Sequence, residues 1–447
     1  MKFHLKIAIV AVIIFGFGIT LSGETLELNL EKARQIALEN NPSVKLAREA
    51  VTKSKAGTNE ARGNLLPTVS GFSQFQHAWE LPTFVLNFPD PVTGQTKVMK
   101  LKMGQENSLV YGVNLTQPIY VGGAIWNGYQ MSKIAGVMTE AQFRATEQKV
   151  LNDVTGAYYG LLFARSSVDV AEEGLISSEK NLEQVKKFYN VGKSSRFDVL
   201  RAEVQVANFK PMVVSAKNYS KLAESNLRMI LGIGDQVELS INDQLQYIET
   251  DLLKKNVDEL IEIALRDRPE VLMVSQQKKL ATRQLSLSRS SYLPSLVIGT
   301  TYQYQGQRDD FKFVKDDFFK SFNSSFSLSV PIFSGFKTSA KVQQAKIGIK
   351  ESKFQEESLV NGIKLEINGA YFTMKQAEEN VQTQQVTIEL AQEANRLAEL
   401  MYAEGASTQL DVLNANVALN QAKMNYQKSL YEYNVALANL KKAINQL

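Results

Sequence analysis

The chain has no cysteine among its 447 residues. A disulfide framework, a thiolate metal site and a lipid-modified cysteine are therefore excluded. Histidine is almost as scarce, with only His4 and His77, and His4 lies in a segment expected to be removed on export. One histidine cannot assemble a His-based metal site or a Ser/His pair within one chain. No catalytic residue, metal site or cofactor is expected, although carboxylate-only chemistry such as glycoside cleavage stays formally open. Clusters of Met or His that would point to metal export are also missing. The formal charge of +4 is too small for a nucleic-acid footprint. Beyond the start, no stretch approaches 18 consecutive apolar residues, so any membrane contact must use strands.

Lys2 and Lys6 precede an apolar run from Ile7 to Ile19, followed by Thr20, Ser22 and Gly23. This is the layout of a secretory signal peptide, expected over residues 1–22 with cleavage after Ser22 or Gly23. The apolar run is about 13 residues, too short for ~30 Å of hydrocarbon.

The rest of the chain is a duplication. Pro42 and Leu66-Pro67 recur as Pro269 and Leu293-Pro294, 227 residues on. Pro118-Ile119-Tyr120-Val121-Gly122 recurs as Pro331-Ile332-Phe333-Ser334-Gly335, now 213 residues on. That second offset holds for Gly156-Ala157-Tyr158 with Gly369-Ala370-Tyr371, for Gly192 with Gly405, and for Asp198-Val199-Leu200 with Asp411-Val412-Leu413. The difference of 14 places one longer loop between Pro67 and Pro118. We read residues 23–231 as a first repeat with a β-hairpin at 65–120, 232–256 as a linker, and 257–447 as a second repeat with a hairpin at 293–333.

From about Ala124 to Tyr189, and from about Thr338 to Tyr402, there is no proline and apolar residues fall at helical spacing. Each stretch predicts a helix roughly 100 Å long. One seam reads Val154, Ala157, Leu161, Ala164, Val168, Ala171, Leu175, Ser178, Leu182, Val185, Tyr189; its counterpart runs from Ile367 through Met374, Val381 and Asn395 to Tyr402. Alternating large residues with alanine on a seven-residue repeat predicts supercoiled helices that approach closely. Second helices follow, with seams Val199, Ala202, Val206, Phe209, Val213, Ala216 and Val412, Ala415, Leu419, Ala422, Tyr426. By themselves such stripes favour a solid coiled coil, a weighting that the strands change.

Between the Leu-Pro and Pro-Ile motifs the period changes to two. Leu109, Tyr111, Val113 and Leu115 alternate with Val110, Gly112, Asn114 and Thr116, and Phe322 to Val330 alternates against serine and asparagine. Four runs of about ten residues, apolar on one side and polar on the other, with that from Pro67 to about Trp79 alternating less cleanly, suit a water-filled barrel in lipid, though a half-buried soluble hairpin alternates too. Trp79, Tyr111, Tyr120, Tyr292 and Phe333 lie near run ends, where interfacial aromatics belong. Four strands cannot close a barrel, so oligomerisation is required, and counting alone allows two, three or four chains.

With its duplication, Leu-Pro and Pro-Ile-aromatic-x-Gly motifs and paired helix turns, the chain resembles the TolC-type outer-membrane efflux family over nearly all of its exported length. The resemblance implies a mostly α fold with membrane β: a homotrimer with a twelve-stranded β-barrel, a twelve-helix α-barrel tunnel in the periplasm, and short equatorial helices, here Leu30 to Glu39 and Val257 to Arg266. It implies an export duct for small molecules or proteins. Its implied partners are outer-membrane lipid, a periplasmic adaptor (membrane fusion) protein and an inner-membrane transporter, in tripartite efflux or type I secretion; no nucleic acid is involved. The alternative is a non-membrane periplasmic or surface coiled-coil adaptor or structural protein.

The turns Tyr189 to Ser195 and Tyr402 to Thr408 resemble the family's periplasmic tips. Val191, Gly192, Lys193, Ser194, Glu404, Gly405, Ala406 and Ser407 are the implied adaptor contacts, while helix capping alone also explains the glycines and serines. The resemblance gives Asp198, Tyr402, Asp411 and Asn414 to the gate and constriction. Ser407 replaces a linking arginine of the family and Asn414 replaces a second ring aspartate, so the ring carries three potential charges where the archetype has six. Both aspartates are equally good first-turn helix charges. The resemblance further suggests that Tyr402 and Asp198 hydrogen-bond within one protomer.

Overall fold

The computed structural model describes residues 25–89, 94–234 and 236–447. The leader expected at 1–22 lies outside the described residues. The order is β1 (Thr25–Glu27), α1 (Leu30–Asn40), α2 (Pro42–Gly63), β2 (Thr68–His77), β3 (Thr83–Pro89), β4 (Thr96–Lys102), β5 (Asn107–Val121), α3 (Ala124–Asn190), α4 (Arg196–Leu231), β6 (Glu238–Ser240), α5 (Val257–Asp267), α6 (Pro269–Ser290), β7 (Ser295–Arg308), β8 (Phe318–Ser329), α7 (Lys337–Ala403) and α8 (Gln409–Ala443). Among the described residues, no helix is long and apolar enough to cross a membrane. Two compact units result, one of Met1–Lys45, Glu147–Asn256 and Gly369–Leu447, the other of Leu46–Thr146 and Val257–Asn368. Each unit draws on both halves of the duplication.

In the first unit, the alternating seams are the buried lines of the helices. Val154, Leu161, Ala164, Ala171, Ser178 and Val185 of α3 are buried, as are Met374, Ala377, Val381, Asn395 and Tyr402 of α7. Alanine at these places lets neighbouring backbones come close enough for the large residues to fill the remaining space. The two seams differ at their ends: Tyr402 is 8 % exposed whereas its counterpart Tyr189 is 43 % exposed. Position 189 was expected inside, but Phe188 supplies the inward ring instead and packs on Tyr402 with centroids 5.3 Å apart. The segment after α4 is tied down by the buried Tyr433 and Asn434 and the half-buried Arg165, polar side chains that are stable away from water only when paired. Tyr433 donates to the Ile248 carbonyl at 2.6 Å, Asn434 to that of Gln246 at 3.0 Å, and Arg165 to that of Ile241 at 3.0 Å. β1 pairs in parallel with β6.

The second unit contains an antiparallel sheet ordered β2-β5-β7-β8. The two halves meet at its centre, where β5 of the first pairs with β7 of the second. Because paired residues share a face, the register sorts the side chains. Val69, Phe75, Leu109, Tyr111, Val113, Leu115, Tyr302, Tyr304, Phe322, Phe326 and Leu328 lie on one face; Ser70, Gln74, Asn114, Thr116, Thr301, Gln303, Ser321, Asn323 and Ser325 lie on the other. Ser73, Thr300, Lys320 and Ser324 are exceptions on the first face and Phe72, Val110 and Phe319 on the second, and the prevailing division is that of a sheet separating lipid from water. Pro118 sits at a register shift between Pro118 and Tyr120, the kind of irregularity at which a strand tolerates proline. From Tyr111 to Tyr120 the apolar face spans about 30 Å along the strand. At a tilt of ~40° that gives ~23 Å of height, close to the ~25 Å apolar band of an outer-membrane barrel.

The long loop between the first two strands of the sheet has structure of its own. β3 and β4 form a separate antiparallel hairpin inside it, where the offset between the repeats indicated only a longer loop.

Gly112 marks the closest approach in the sheet: a Cβ there would lie 2.4 Å from the Tyr302 carbonyl oxygen and 2.8 Å from the Gln303 Cα. Gly112→Val should therefore force β5 from β7 at a cost of about 1–3 kcal/mol. The measurement is thermal loss of the β circular-dichroism signal, and an unchanged midpoint would show that the strands have room.

Candidate functional site

The residues singled out from sequence gather at two helix turns built alike. Gly192 follows α3 with φ 74° and Gly405 follows α7 with φ 79°, the left-handed conformation that reverses the chain after a helix. The Gly192 amide donates to the Tyr189 carbonyl at 3.0 Å and that of Lys193 to Phe188 at 2.8 Å. In the second turn, Gly405 donates to Tyr402 at 3.1 Å and Ala406 to Met401 at 2.8 Å. Two carbonyls at each helix end are thereby satisfied.

The next helices begin with reciprocal caps. Ser195 accepts from the Asp198 amide at 3.1 Å, while Asp198 accepts from the Ser195 amide at 3.0 Å and the Ser195 hydroxyl at 2.6 Å. Thr408 and Asp411 repeat the arrangement, with the Thr408 amide at 2.9 Å and its hydroxyl at 2.6 Å from the carboxylate. Ser407 adds a third donor to Asp411 at 2.9 Å. The hydroxyl and amide of Ser195 hold the Asp198 carboxyl below the usual carboxylate range, and Thr408 with Ser407 does the same for Asp411. Satisfying first-turn amides with an anionic side chain stabilises both helix starts.

Tyr402 joins the two turns. Its ring packs with Val185, Val199, Ala202 and Val412 in one buried cluster, with Leu182, Phe188 and Ala398 against it. Its hydroxyl lies 3.0 Å from the Ser194 hydroxyl. The Tyr402 hydroxyl thus meets Ser194 where the resemblance suggested Asp198, whose Oδ2 accepts within its own capping box. Val191, Gly192, Lys193, Glu404, Gly405 and Ala406 are exposed, Ser194 and Ser407 are half-buried, and Asn414 is exposed one turn beyond Asp411.

Three features escaped the sequence reading. Phe197 and Leu410 occupy equivalent first-turn positions and stand 64 % and 43 % exposed; a large apolar residue two places after each cap was the available signal. Arg201 lies over the Phe197 ring at 4.6 Å, a spacing of four that one helix turn brings together. Gln409 is 3 % exposed, yet neither atom of its amide has a partner among the described residues. A buried amide without partners costs about 1–3 kcal/mol, and no sequence pattern distinguishes it from a surface glutamine. No group of His, Asp and Glu suited to a metal ion occurs among the described residues.

Comparison with known proteins gives one consistent result. The family described as "Outer membrane efflux protein" matches residues 33–233 and 260–446. The outer membrane protein TolC of Vibrio cholerae is 22 % identical, with 96 % of this chain and 93 % of that protein covered. The alkaline protease secretion protein AprF of Pseudomonas aeruginosa is also 22 % identical, covering 96 % of this chain and 87 % of its own. Among solved structures, the CmeC outer membrane channel of Campylobacter jejuni superposes with a TM-score of 0.78 at 19 % identity, covering 93 % of this chain and 85 % of that one.

The cap bonds give the tips an acid limit. Both aspartates have lowered pKa values in the fold, so their stabilisation is complete above the ordinary carboxylate value of about 4 and is lost as pH falls through the folded value. The Ser195 and Thr408 amides, which donate to these carboxylates, should lose protection against hydrogen exchange, relative to their intrinsic rates, below that range. Exchange that stays slow at full protonation would show that the carboxylates do not hold the turns.

Proposed function

Because the chain belongs to the outer membrane efflux protein family, it is an outer-membrane channel with a periplasmic extension, and we propose that it works as a homotrimer opened at its helical tips. The observation that carries this reading is the four-stranded sheet, polar on one face, apolar on the other, and flanked on one side only at β2 and β8. Three copies supply twelve strands and close the barrel around the Ser, Thr, Asn and Gln face. The four long helical rows of each copy, α3, α4, α7 and α8, supply the twelve-helix tunnel. A soluble coiled-coil adaptor has no use for such a sheet.

On this reading, residues 23–231 and 257–447 are the two repeats, joined through 232–256. The exposed tips Val191 to Ser194 and Glu404 to Ser407 receive a periplasmic adaptor that links the channel to an inner-membrane transporter. Phe197 and Leu410 offer that partner exposed apolar contacts beside each turn. Tyr402 and Ser194 form the latch within a protomer, in place of the pair with Asp198. Asp411 supplies the charge at the constriction, with Asn414 beside it uncharged. The unpartnered Gln409 amide supports a tip that can rearrange, since a different packing of α7 and α8 can relieve its cost.

Two measurements on single channels test the gate. Tyr402→Phe removes one hydrogen bond worth about 0.5–1.5 kcal/mol, which should raise the open population about two- to tenfold; unchanged conductance counts against the latch. Carboxylate rings raise the local cation concentration, so Asp411→Asn should shift reversal potentials toward lower cation preference. Unaltered potentials would remove Asp411 from the constriction.

A further inference from the structure

We propose that the β3–β4 hairpin, with Trp79 at its root, is an anchor onto the phosphate-bearing outer leaflet of the membrane, an inference that rests on reading the four-stranded sheet as membrane-embedded. The hairpin register places Phe84 opposite Leu101 and Leu86 opposite Met99, so these four share one face. Thr83, Val85 and Asn87 pair with Lys102, Lys100 and Val98 on the other. Phe84, Leu86, Met99 and Leu101 are all exposed. A lone two-stranded hairpin is marginal in water, and an apolar strip of this kind marks a contact surface.

Three observations select lipid as the occupant. First, the hairpin leaves the sheet at the end away from the helices: β2 follows α2 and β5 runs on into α3, while the Ala78 amide donates to the Glu106 carbonyl at 2.7 Å where the two connections part. Second, both loops at this end turn toward the lipid-facing side of the sheet. His77 shares that face with Phe75; Trp79 meets its ring edge-on at 4.6 Å, and Phe311 packs on His77 at 5.8 Å and on Phe75 at 6.1 Å. Trp79 is itself 93 % exposed, at the level where tryptophan favours a membrane interface. Third, the segment 83–102 carries three lysines against the single acid Asp90, and two of them, Lys100 and Lys102, lie on the face opposite the apolar strip, while Lys97 pairs with Phe88 at the end of that strip; the net positive balance suits headgroup phosphates. An apolar face in the acyl boundary with lysines directed to phosphate is the arrangement of an interfacial amphipathic element.

The absence of cysteine makes the test direct. Leu86→Cys, Asn87→Cys and Phe322→Cys, each in the full-length channel, carry a thiol-linked fluorophore in vesicles of phosphatidylethanolamine and phosphatidylglycerol with brominated acyl chains. The Leu86 label should be quenched to about the extent of the Phe322 label, and the Asn87 label much less. Quenching at Phe322 without quenching at Leu86 overturns the anchor and leaves the membrane sheet standing; quenching at neither overturns the membrane reading itself. A Leu86 label shielded from aqueous iodide but untouched by bromine means that hairpins cover one another, which also overturns the anchor. Replacing Lys100 and Lys102 by Gln should lower the ratio of inserted to free hairpin about fivefold per lysine, and unchanged quenching would overturn the phosphate contact.

Discussion

A backbone amide or carbonyl left unpaired in hydrocarbon costs several kcal/mol, and this sheet presents a full row of such groups along the outer edges of β2 and β8. The remainder of the second unit follows from that constraint. Strand length sets the height of the apolar face, alternation sets which face meets lipid, and the open edges make a single copy incomplete as a membrane element. The seams of the first unit obey a different rule, close packing of helices in water, and its residues are correspondingly alanine-rich rather than aromatic.

At the tips, two demands fall on the same side chains. Asp198 and Asp411 each cap a helix through one carboxylate oxygen, Oδ2, so their presence needs no gate to explain it. The asymmetry between the repeats is more telling. If capping were the only demand, the duplicated turns would remain equivalent, yet Tyr402 is buried and bonded to Ser194 while Tyr189 is exposed. Where the turns of the two repeats pack together, the Tyr402 ring lies in the shared cluster with the Phe188 ring against it, and Tyr189 is left outside.

Much of the fold was legible because it rests on periodicity. The long helices, the four amphipathic strands and the offset between halves are properties of spacing, and spacing survives in a sequence. What stayed hidden was contact. The sequence aligned Tyr189 with Tyr402 but carried nothing about which would turn inward, and it offered Asp198 as a partner for Tyr402 where the fold presents Ser194. The β3–β4 hairpin was hidden for a different reason: two seven-residue strands, the first ending on Pro89, are too short for their alternation to stand out from chance.

The pairing at the centre of the sheet also constrains how copies join. β5 and β7 are corresponding neighbours from the two halves, and joining them uses up the contact that could have related the halves to a second copy symmetrically. The edges that remain are unlike, since β2 lies in the first half and β8 in the second. An interface between unlike edges is heterologous, and such interfaces generate either a closed ring or an open filament. A sheet with its polar face turned toward water and its apolar face toward lipid must curve around the water, because an open filament would leave edges in hydrocarbon at both ends. On the function proposed above, closure into a ring is imposed by the solvent, and the duplication halves the number of chains needed to reach it.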